Sequence, residues 1–212
     1  MPLFYKDDLD ENTRLAVWKI EEPEDFFLSS VTVQREITHP QKRLQHLAAR
    51  YLLTMLYPDF PHHQITIATS RKPFLPNEKY HFSISHCANY AAVIISSDSR
   101  VGIDVEYFTP RLHKIKYKFL HADELRFVNA QLPSHQTGLL TILWSAKEAM
   151  YKWYGLGEVD FSQMMKTFPF QNGQAGKIPG VFIKGSLEKQ LSLYFKIWED
   201  ICLVWLLTKA SC

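Results

Sequence analysis

The sequence contains only three cysteines among its 212 residues, and it has no long apolar run. Cys87, Cys202 and Cys212 show no paired spacing, which argues against a disulfide framework and against a zinc site. The apolar run at residues 201–207 is too short to cross a bilayer. Residues 1–10 are acidic and polar and lack the apolar core of a signal peptide. We therefore expect a cytoplasmic protein without membrane attachment.

The sequence also lacks an excess of charge of either sign, since its formal net charge is +2. A general nucleic-acid binder needs a basic excess, so this balance predicts no nucleic-acid partner. Any affinity for anions must come from local basic clusters. Hydrophobic residues make up 46% and aromatic residues 14% of the chain, which is typical of a globular protein. The length allows one domain or two small fused halves.

Residues 144–152 form the most informative segment of the chain. Good helix formers occupy its centre, and Gly155 ends the predicted helix. Trp144, Glu148 and Lys152 fall at i, i+4 and i+8, so they share one face of that helix. Glu148 and Lys152 are either an exposed ion pair, worth about 0.3–0.5 kcal/mol, or an acid and an amine held for catalysis.

Residues 101–106 alternate as a strand that places Asp104 and Glu106 on one face. Two carboxylates at that spacing suit one hard cation, such as Mg²⁺ or Mn²⁺. The alternative is an ordinary solvent-facing strand edge. Gly102 favours the metal site slightly, because a glycine in a strand often marks the close approach of another backbone.

Basic residues cluster in the first half of the chain. The helical spacing of apolar residues predicts a helix that begins near Pro40 and ends before Pro58. Its other face carries the basic side chains Lys42, Arg43, His46 and Arg50. They form either a solvated helix face or a rim for phosphate, and spacing alone leaves both interpretations open. Residues 71–76 add a basic loop stiffened by two prolines.

A hairpin is predicted over residues 80–97, with Ser85 and His86 at its turn. Residues 133–138 are predicted to form a loop, and residues 139–153 the helix that contains the informative segment.

An internal repeat emerges from these elements, because a second hairpin at residues 191–208 again follows a long helix. The sequence therefore predicts an α+β fold of two similar halves, residues 1–100 and 101–212. Each half would hold a small antiparallel sheet with a long helix. We expect a pseudo-twofold arrangement of the halves, with a groove between them as the natural ligand site.

Three segments in this order, residues 82–86, 101–106 and 144–152, resemble the motifs of the 4′-phosphopantetheinyl transferases. The resemblance covers roughly residues 40–165 and extends to the spacing of the motifs. The length and the internal repeat resemble the larger, surfactin-synthetase-activating (Sfp) type, in which two halves are fused. That type works as a monomer, so the resemblance implies a monomeric pseudodimer with the 4′-phosphopantetheinyl transferase fold.

The resemblance implies Mg²⁺-dependent transfer of the 4′-phosphopantetheine arm of coenzyme A to a serine of an apo acyl or peptidyl carrier protein, with release of 3′,5′-ADP. By the same resemblance, Asp104, Glu106 and Glu148 bind Mg²⁺ or Mn²⁺. Glu148 is also the implied base for the carrier serine. Lys152 is implied to stabilise or protonate the departing 3′,5′-ADP. Trp144 is expected to pack and to hold the helix in place.

Further positions are implied to bind coenzyme A: Arg50, Lys72, Ser85, His86, Asp104 and Lys152. Arg43 is a weaker candidate for the same role. Arg71 stands where the family usually has glycine, so the resemblance does not define the shape of this loop. Lys147 is expected on a phosphate-facing or packing side, and Glu124 behind the site.

Two other interpretations stay open for the sequence. The first is a catalytically inactive module that binds coenzyme A or a carrier protein, although the complete acidic and basic set argues against it. The second is a Mg²⁺-dependent nuclease or phosphohydrolase that uses Asp104 and Glu106. Such nucleases usually place a lysine two residues after the second acid, and Phe108 occupies that position here.

Overall fold

A computed structural model describes residues 3–31 and 37–210 of the chain. The chain separates into two compact units, which we call the N-terminal unit (Met1–Val101 with Lys209–Cys212) and the C-terminal unit (Gly102–Thr208). Helices and antiparallel strand pairs occur in both, which confirms the predicted α+β class. The pseudo-twofold relation of the halves stays a prediction.

The N-terminal unit is a four-stranded sheet covered by one long helix. The sheet has the order β1-β2-β6-β5, and β3 pairs with β4 in a separate two-stranded ribbon. The elements are β1 (Leu3–Asp8), β2 (Thr13–Lys19), α1 (Glu24–Leu28), α2 (Pro40–Leu56), β3 (Thr66–Ile67), β4 (Pro73–Phe74), β5 (His81–Cys87) and β6 (Tyr90–Ser96). Helix α2 packs its apolar stripe on β2 and β6, which builds the core of this unit.

Helix α2 follows from local chemistry. The side chain of His39 caps it by accepting from the backbone N–H of Lys42 at 3.5 Å, and Pro40 occupies the first turn. Proline fits there because its missing N–H would have had no partner within the helix. The helix ends at Leu56, two residues before Pro58, as predicted.

The hairpin β5–β6 differs in one respect from its prediction. Ser85 pairs with Ala92 and His86 with Ala91, so both candidate residues lie inside β5 and the predicted turn position is wrong. The turn is the two-residue link Ala88-Asn89, where Ala88 has a φ of 39°. A tight two-residue hairpin turn requires such positive φ values, and the sequence Ala-Asn does not announce it.

The C-terminal unit is a five-stranded sheet with the order β7-β11-β10-β9-β8, packed on the longest helix. Its elements are β7 (Ser99–Tyr107), α3 (Leu112–Phe119), α4 (Ala122–Asn129), α5 (Pro133–Tyr154), β8 (Met165–Thr167), β9 (Ala175–Lys184), β10 (Leu187–Ile197) and β11 (Ile201–Lys209). Helix α5 begins at Pro133, so the loop predicted for residues 133–138 is wrong. Proline at the first helical position starts the helix instead of interrupting it. Gly155, with a φ of 77°, ends it as predicted.

Strand β9 was not predicted, because Gly176, Pro179 and Gly180 suggest turns. Its pairing with β10 over ten residues overrides those local preferences. A Cβ at Gly176 would lie 2.7 Å from the ring of Phe195, so glycine here makes room for an aromatic side chain of the neighbouring strand. Strand β1 was missed for a related reason, since its acidic sequence pairs with β2.

Gly102 is the point where β7 touches α5. A Cβ at this residue would lie 2.1 Å from the carbonyl oxygen of Ala149 and 2.9 Å from the Cβ of Trp153. Both neighbours belong to α5, so the predicted close backbone approach is confirmed. This approach brings the strand that carries Asp104 against the helix that carries Glu148.

Gly102→Ala is expected to lower the free energy of unfolding by about 3 kcal/mol, because backbone atoms cannot give way as a flexible side chain can. Gly138→Ala serves as the control. Gly138 lies within α5, and a Cβ there would meet only Phe108, at 4.0 Å. That control should gain about 0.5–1 kcal/mol from the better helix propensity of alanine. Urea unfolding of both variants measures the effect, and equal stabilities would contradict the close contact.

His62 makes the N-terminal unit sensitive to acid. Its Nε2 lies 2.7 Å from the Oγ1 of Thr54, and burial, with Arg50 and His63 adding, lowers the pKa of His62 from 6.5 to about 4. Between these values the unfolded chain binds more protons than the folded one. The free energy of unfolding therefore falls as the pH falls from 6.5 towards 4, by about 2 kcal/mol after allowance for solvent screening.

His62→Gln should flatten this part of the stability profile, because glutamine can keep a bond to Thr54 without titrating. His63→Gln, at the exposed neighbouring position, should change the profile far less, because His63 is the smallest of the three causes that lower the pKa of His62. Urea unfolding from pH 4 to pH 7 measures all three proteins. An equal slope in wild type and His62→Gln would assign the acid sensitivity elsewhere.

No helix within residues 3–31 and 37–210 is long and apolar enough to cross a membrane. Cys87 and Cys202 form no disulfide, while Cys212 lies outside the described residues.

Candidate active site

The C-terminal unit brings its predicted site residues together at the contact of β7 with α5. Asp104 and Glu106 alternate with buried aliphatic residues on β7, and Glu148 and Lys152 stand one helical turn apart on α5. Lys152 Nζ donates to Asp104 Oδ1 at 2.7 Å. The side chain of Asp104 is only 4% exposed, so this ion pair is largely shielded from water. The strand and the helix therefore present one connected group of charges.

Three carboxylates lie within electrostatic reach of one another. Burial, followed by the negative charge of Asp104, raises the pKa of Glu106 to about 7. The same two causes raise the pKa of Glu148 to about 7, while Lys152 opposes the shift. Lys152 thus offsets only part of the negative charge collected here. Two carboxylates with raised pKa values beside a third carboxylate are typical of functional sites.

Trp144 does more than pack. Its ring lies 5.1 Å from that of Phe119 and 5.9 Å from that of Phe161, which confirms the predicted packing role. Its indole Nε1 also donates to Glu106 Oε1 at 3.2 Å. The sequence could have suggested this bond, because a tryptophan that shares a helix face with an acidic cluster has one N–H to offer.

A divalent cation fits this cluster by its donor chemistry. Asp104, Glu106 and Glu148 offer only oxygen ligands, and their mutual repulsion is what a cation would relieve. Their side chains do not converge on one point, since no group of three or more His, Cys, Asp or Glu residues in the described part of the chain has metal-binding geometry. The metal set stays a prediction.

A buried ion pair anchors α5 from the face next to the one that carries Glu148 and Lys152. Lys147 is fully buried, and its Nζ donates to Glu124 Oε2 at 2.7 Å and to the carbonyl oxygen of Phe161 at 3.2 Å. It also donates to the carbonyl of Met165 in β8. Burial lowers the pKa of the Lys147 ammonium, and the Glu124 carboxylate opposes that shift. Lys147 is therefore directed into the core, which matches the packing alternative among its expected roles.

Glu124 collects further donors around this pair. Its Oε1 accepts from the backbone N–H of Thr167 at 2.7 Å and from the Thr167 hydroxyl at 2.6 Å. Its Oε2 accepts from the backbone N–H of His121 at 2.6 Å, which completes a capping box at the start of α4. One carboxylate thus joins α4, α5 and β8. The sequence contained a signal for the burial of Lys147, because this residue follows Leu143 by four positions on the apolar stripe of α5.

The N-terminal unit holds a separate cavity of about 780 Å³. Arg50 and His86, both predicted ligand-binding residues, line it together with His46 and Arg71. Arg50 is only 8% exposed, so its guanidinium is held within the cavity wall. The structure therefore joins the basic face of α2, the end of β5 and the loop after β3 in one basic cavity.

The other predicted residues of this unit are placed differently. Lys72 lies between β3 and β4, and burial, with Arg100 adding, lowers the pKa of its ammonium to about 8. Ser85 is buried within β5. Arg43, the weaker candidate for coenzyme A binding, forms an ion pair of 2.6 Å with Glu24 of α1.

Comparison with known families gives a match over the part of the chain that holds the carboxylate cluster. Residues 100–202 match the family model of the 4′-phosphopantetheinyl transferase superfamily. The match includes Asp104, Glu106, Glu148 and Lys152.

Individual relatives have the same name. The chain is 30% identical over 113 residues to the 4′-phosphopantetheinyl transferase gsp of Aneurinibacillus migulanus, and 28% identical over 117 residues to the 4′-phosphopantetheinyl transferase AcpT of Escherichia coli O157:H7. It is 29% identical over 117 residues to a Synechocystis protein provisionally assigned the same activity. These matches cover 52–54% of this chain and 46%, 59% and 48% of the three proteins, respectively. The chain thus spans about half the length of the curated relatives it matches, and they support the enzyme class.

Proposed function

We propose that this protein transfers the 4′-phosphopantetheine group of coenzyme A to a serine hydroxyl of an apo acyl or peptidyl carrier protein, with release of 3′,5′-ADP. The observation that carries the proposal is the group of three carboxylates beside Lys152, of which Glu106 and Glu148 have pKa values raised by burial and by the charge of Asp104. The family match over residues 100–202 supports the same chemistry.

Asp104, Glu106 and Glu148 would hold Mg²⁺ or Mn²⁺ through their carboxylate oxygens. When bound, the cation would offset the negative charge of the coenzyme A pyrophosphate. The hydrogen bond from Trp144 Nε1 holds Oε1 of Glu106 and so fixes the orientation of the whole carboxylate. Its other oxygen, Oε2, would then be available to the cation. Asp104 has a second task, because it holds the Lys152 ammonium in place.

Glu148 would take the proton from the carrier serine as the serine oxygen attacks the phosphorus that carries the pantetheine arm. The bond from that phosphorus to the bridging oxygen of 3′,5′-ADP breaks in the same displacement. Lys152 would stabilise the charge on this departing oxygen. Glu148 and Lys152 lie on one face of α5, so their one-turn separation places the base and the cation on the same rigid element.

The basic cavity of the N-terminal unit would bind phosphate groups of coenzyme A through Arg50 and His86. Its volume of about 780 Å³ lies within the usual range for ligand pockets. Lys72 and Ser85 would contribute from the neighbouring loop and strand.

A transfer assay tests the function. The full chain is incubated with Mg²⁺, coenzyme A and each of several apo acyl and peptidyl carriers, and the carrier mass is measured. A gain of one phosphopantetheine group on a carrier is the expected result. Coenzyme A binding without a mass gain on any carrier would favour an inactive binding module instead.

Trp144→Phe is expected to weaken Mn²⁺ binding about tenfold, because the ring packing remains while the donor to Glu106 is lost. Trp153→Phe is the matched control, since it removes an indole bond of 2.9 Å whose acceptor is Thr208 Oγ1 and not a carboxylate. Calorimetric titration with Mn²⁺ and thermal unfolding are measured for both. Equal Mn²⁺ affinity of the two variants would leave Trp144 with a packing role alone.

A further inference from the structure

The loop between β3 and β4 carries a strained residue at the rim of the basic cavity. Arg71 has a φ of 66°, in the left-handed region that favours glycine. The loop is closed by two backbone bonds, from Arg71 N–H to the carbonyl of Ala68 at 2.8 Å and from Ala68 N–H to the carbonyl of Lys72 at 2.9 Å. This frame holds Arg71 in a conformation that glycine would adopt at no steric cost.

Among residues 3–31 and 37–210, no contact explains an arginine at this strained position. In the part of the chain that the structure describes, the Arg71 guanidinium has no ion-pair or hydrogen-bond partner. Its side chain is exposed and lines the cavity of about 780 Å³. A strained backbone conformation that no contact of its side chain offsets is a recognised mark of a functional position.

The cavity is suited to an anion. Its charged and titratable lining residues are His46, Arg50, Arg71 and His86, and none of the described residues that line it is acidic. Arg50 supplies a buried guanidinium in the wall, and Arg71 supplies an exposed one at the rim. Two guanidinium groups at one cavity can each donate paired hydrogen bonds to phosphate oxygens.

We infer that Arg71 is a phosphate-binding residue whose left-handed backbone directs its guanidinium to the nucleotide part of the ligand in this cavity. The identity of that ligand rests on the proposed function, whereas the need for an anion rests on the cavity itself. Ligand affinity and protein stability should therefore respond differently to the loss of this side chain. Removing Arg71 should weaken the ligand while the protein keeps or gains stability.

Calorimetric titration of the full chain with 3′,5′-ADP tests this inference. Arg71→Gly should bind about tenfold more weakly than wild type, the loss of one charge-assisted contact. Its melting temperature should rise by about 2–4 °C, because the backbone strain is removed. Arg71→Ala should lose the same affinity without that rise, since alanine keeps the strained conformation.

Glu78→Gly is the matched control. Glu78 also has a positive φ, of 51°, in a turn of the N-terminal unit, but it does not line the cavity. This variant should gain stability and bind 3′,5′-ADP as wild type does. Equal affinity of Arg71→Gly and wild type would overturn the inference, as would a fall of several degrees in the melting temperature of Arg71→Gly.

The outcomes for the proposed function are different ones. Wild type that binds 3′,5′-ADP but modifies no carrier would refute phosphopantetheinyl transfer and leave the Arg71 comparison valid. Wild type without affinity for 3′,5′-ADP would refute a nucleotide ligand in this cavity, and with it the role of Arg71.

Discussion

Glu148→Gln is expected to lower the turnover number of phosphopantetheinyl transfer by about 10²- to 10⁴-fold, the usual contribution of a general base. Glutamine has nearly the same size, but it cannot accept the serine proton. The loss should appear in the turnover number, because binding of coenzyme A depends on many other groups. Carrier modification followed by mass spectrometry, under saturating coenzyme A, gives the rate.

Two controls separate this role from a structural one. Glu188→Gln changes an exposed glutamate of β10 in the same unit and should leave the rate unchanged. Calorimetric titration of Glu148→Gln with coenzyme A should give nearly wild-type affinity. Turnover close to that of wild type would remove Glu148 as the base, whatever its part in metal binding.

Lys147→Met is expected to lower the free energy of unfolding by about 3–5 kcal/mol, because it leaves the Glu124 carboxylate buried without its cation. The side chains of this pair are 0% and 2% exposed, so water cannot replace the lost partner. Glu124→Gln should cost a similar amount for the opposite reason, since it strands the Lys147 ammonium. Guanidinium or urea unfolding measures both variants.

The double variant Lys147→Met with Glu124→Gln gives the decisive comparison. It should lose less than the sum of the two single losses, since neither charge is then left alone. Lys79→Met is the control for an exposed pair, because Lys79 and Asp59 are 48% and 64% exposed. That pair should contribute less than about 1 kcal/mol. Additive losses in the double variant would show that Lys147 and Glu124 act independently.

Local chemistry in the sequence predicted the helices better than the strands. Helix α2 begins at Pro40 and ends before Pro58 as predicted, because a cap, an early proline and a late proline act within a few residues. Strand β9 was missed because its glycines and proline suggest turns, while pairing with β10 decides its conformation. Ser85 and His86 were placed at a turn because the sequence Ala88-Asn89 does not indicate the actual turn, which the pairing of β5 with β6 fixes.

The candidate site divides along the same line. Helical and strand periodicity sufficed to put Glu148 with Lys152 on one face and Asp104 with Glu106 on another. Periodicity could not show that Lys152 bonds to Asp104, or that Trp144 donates to Glu106. Those partners lie 48 and 38 residues apart in the chain, so only the packing of β7 on α5 brings them together.

The sequence by itself determined the kinds of residues at the site and their order along the chain, because motif spacing is a property of local geometry. The tertiary structure decided which of them meet. Gly102 allows the close contact of strand and helix, and the buried Lys147–Glu124 pair joins that helix to α4. The tertiary structure also places Arg71, with a left-handed backbone, at the rim of a basic cavity. This placement depends on the backbone bonds that close its loop.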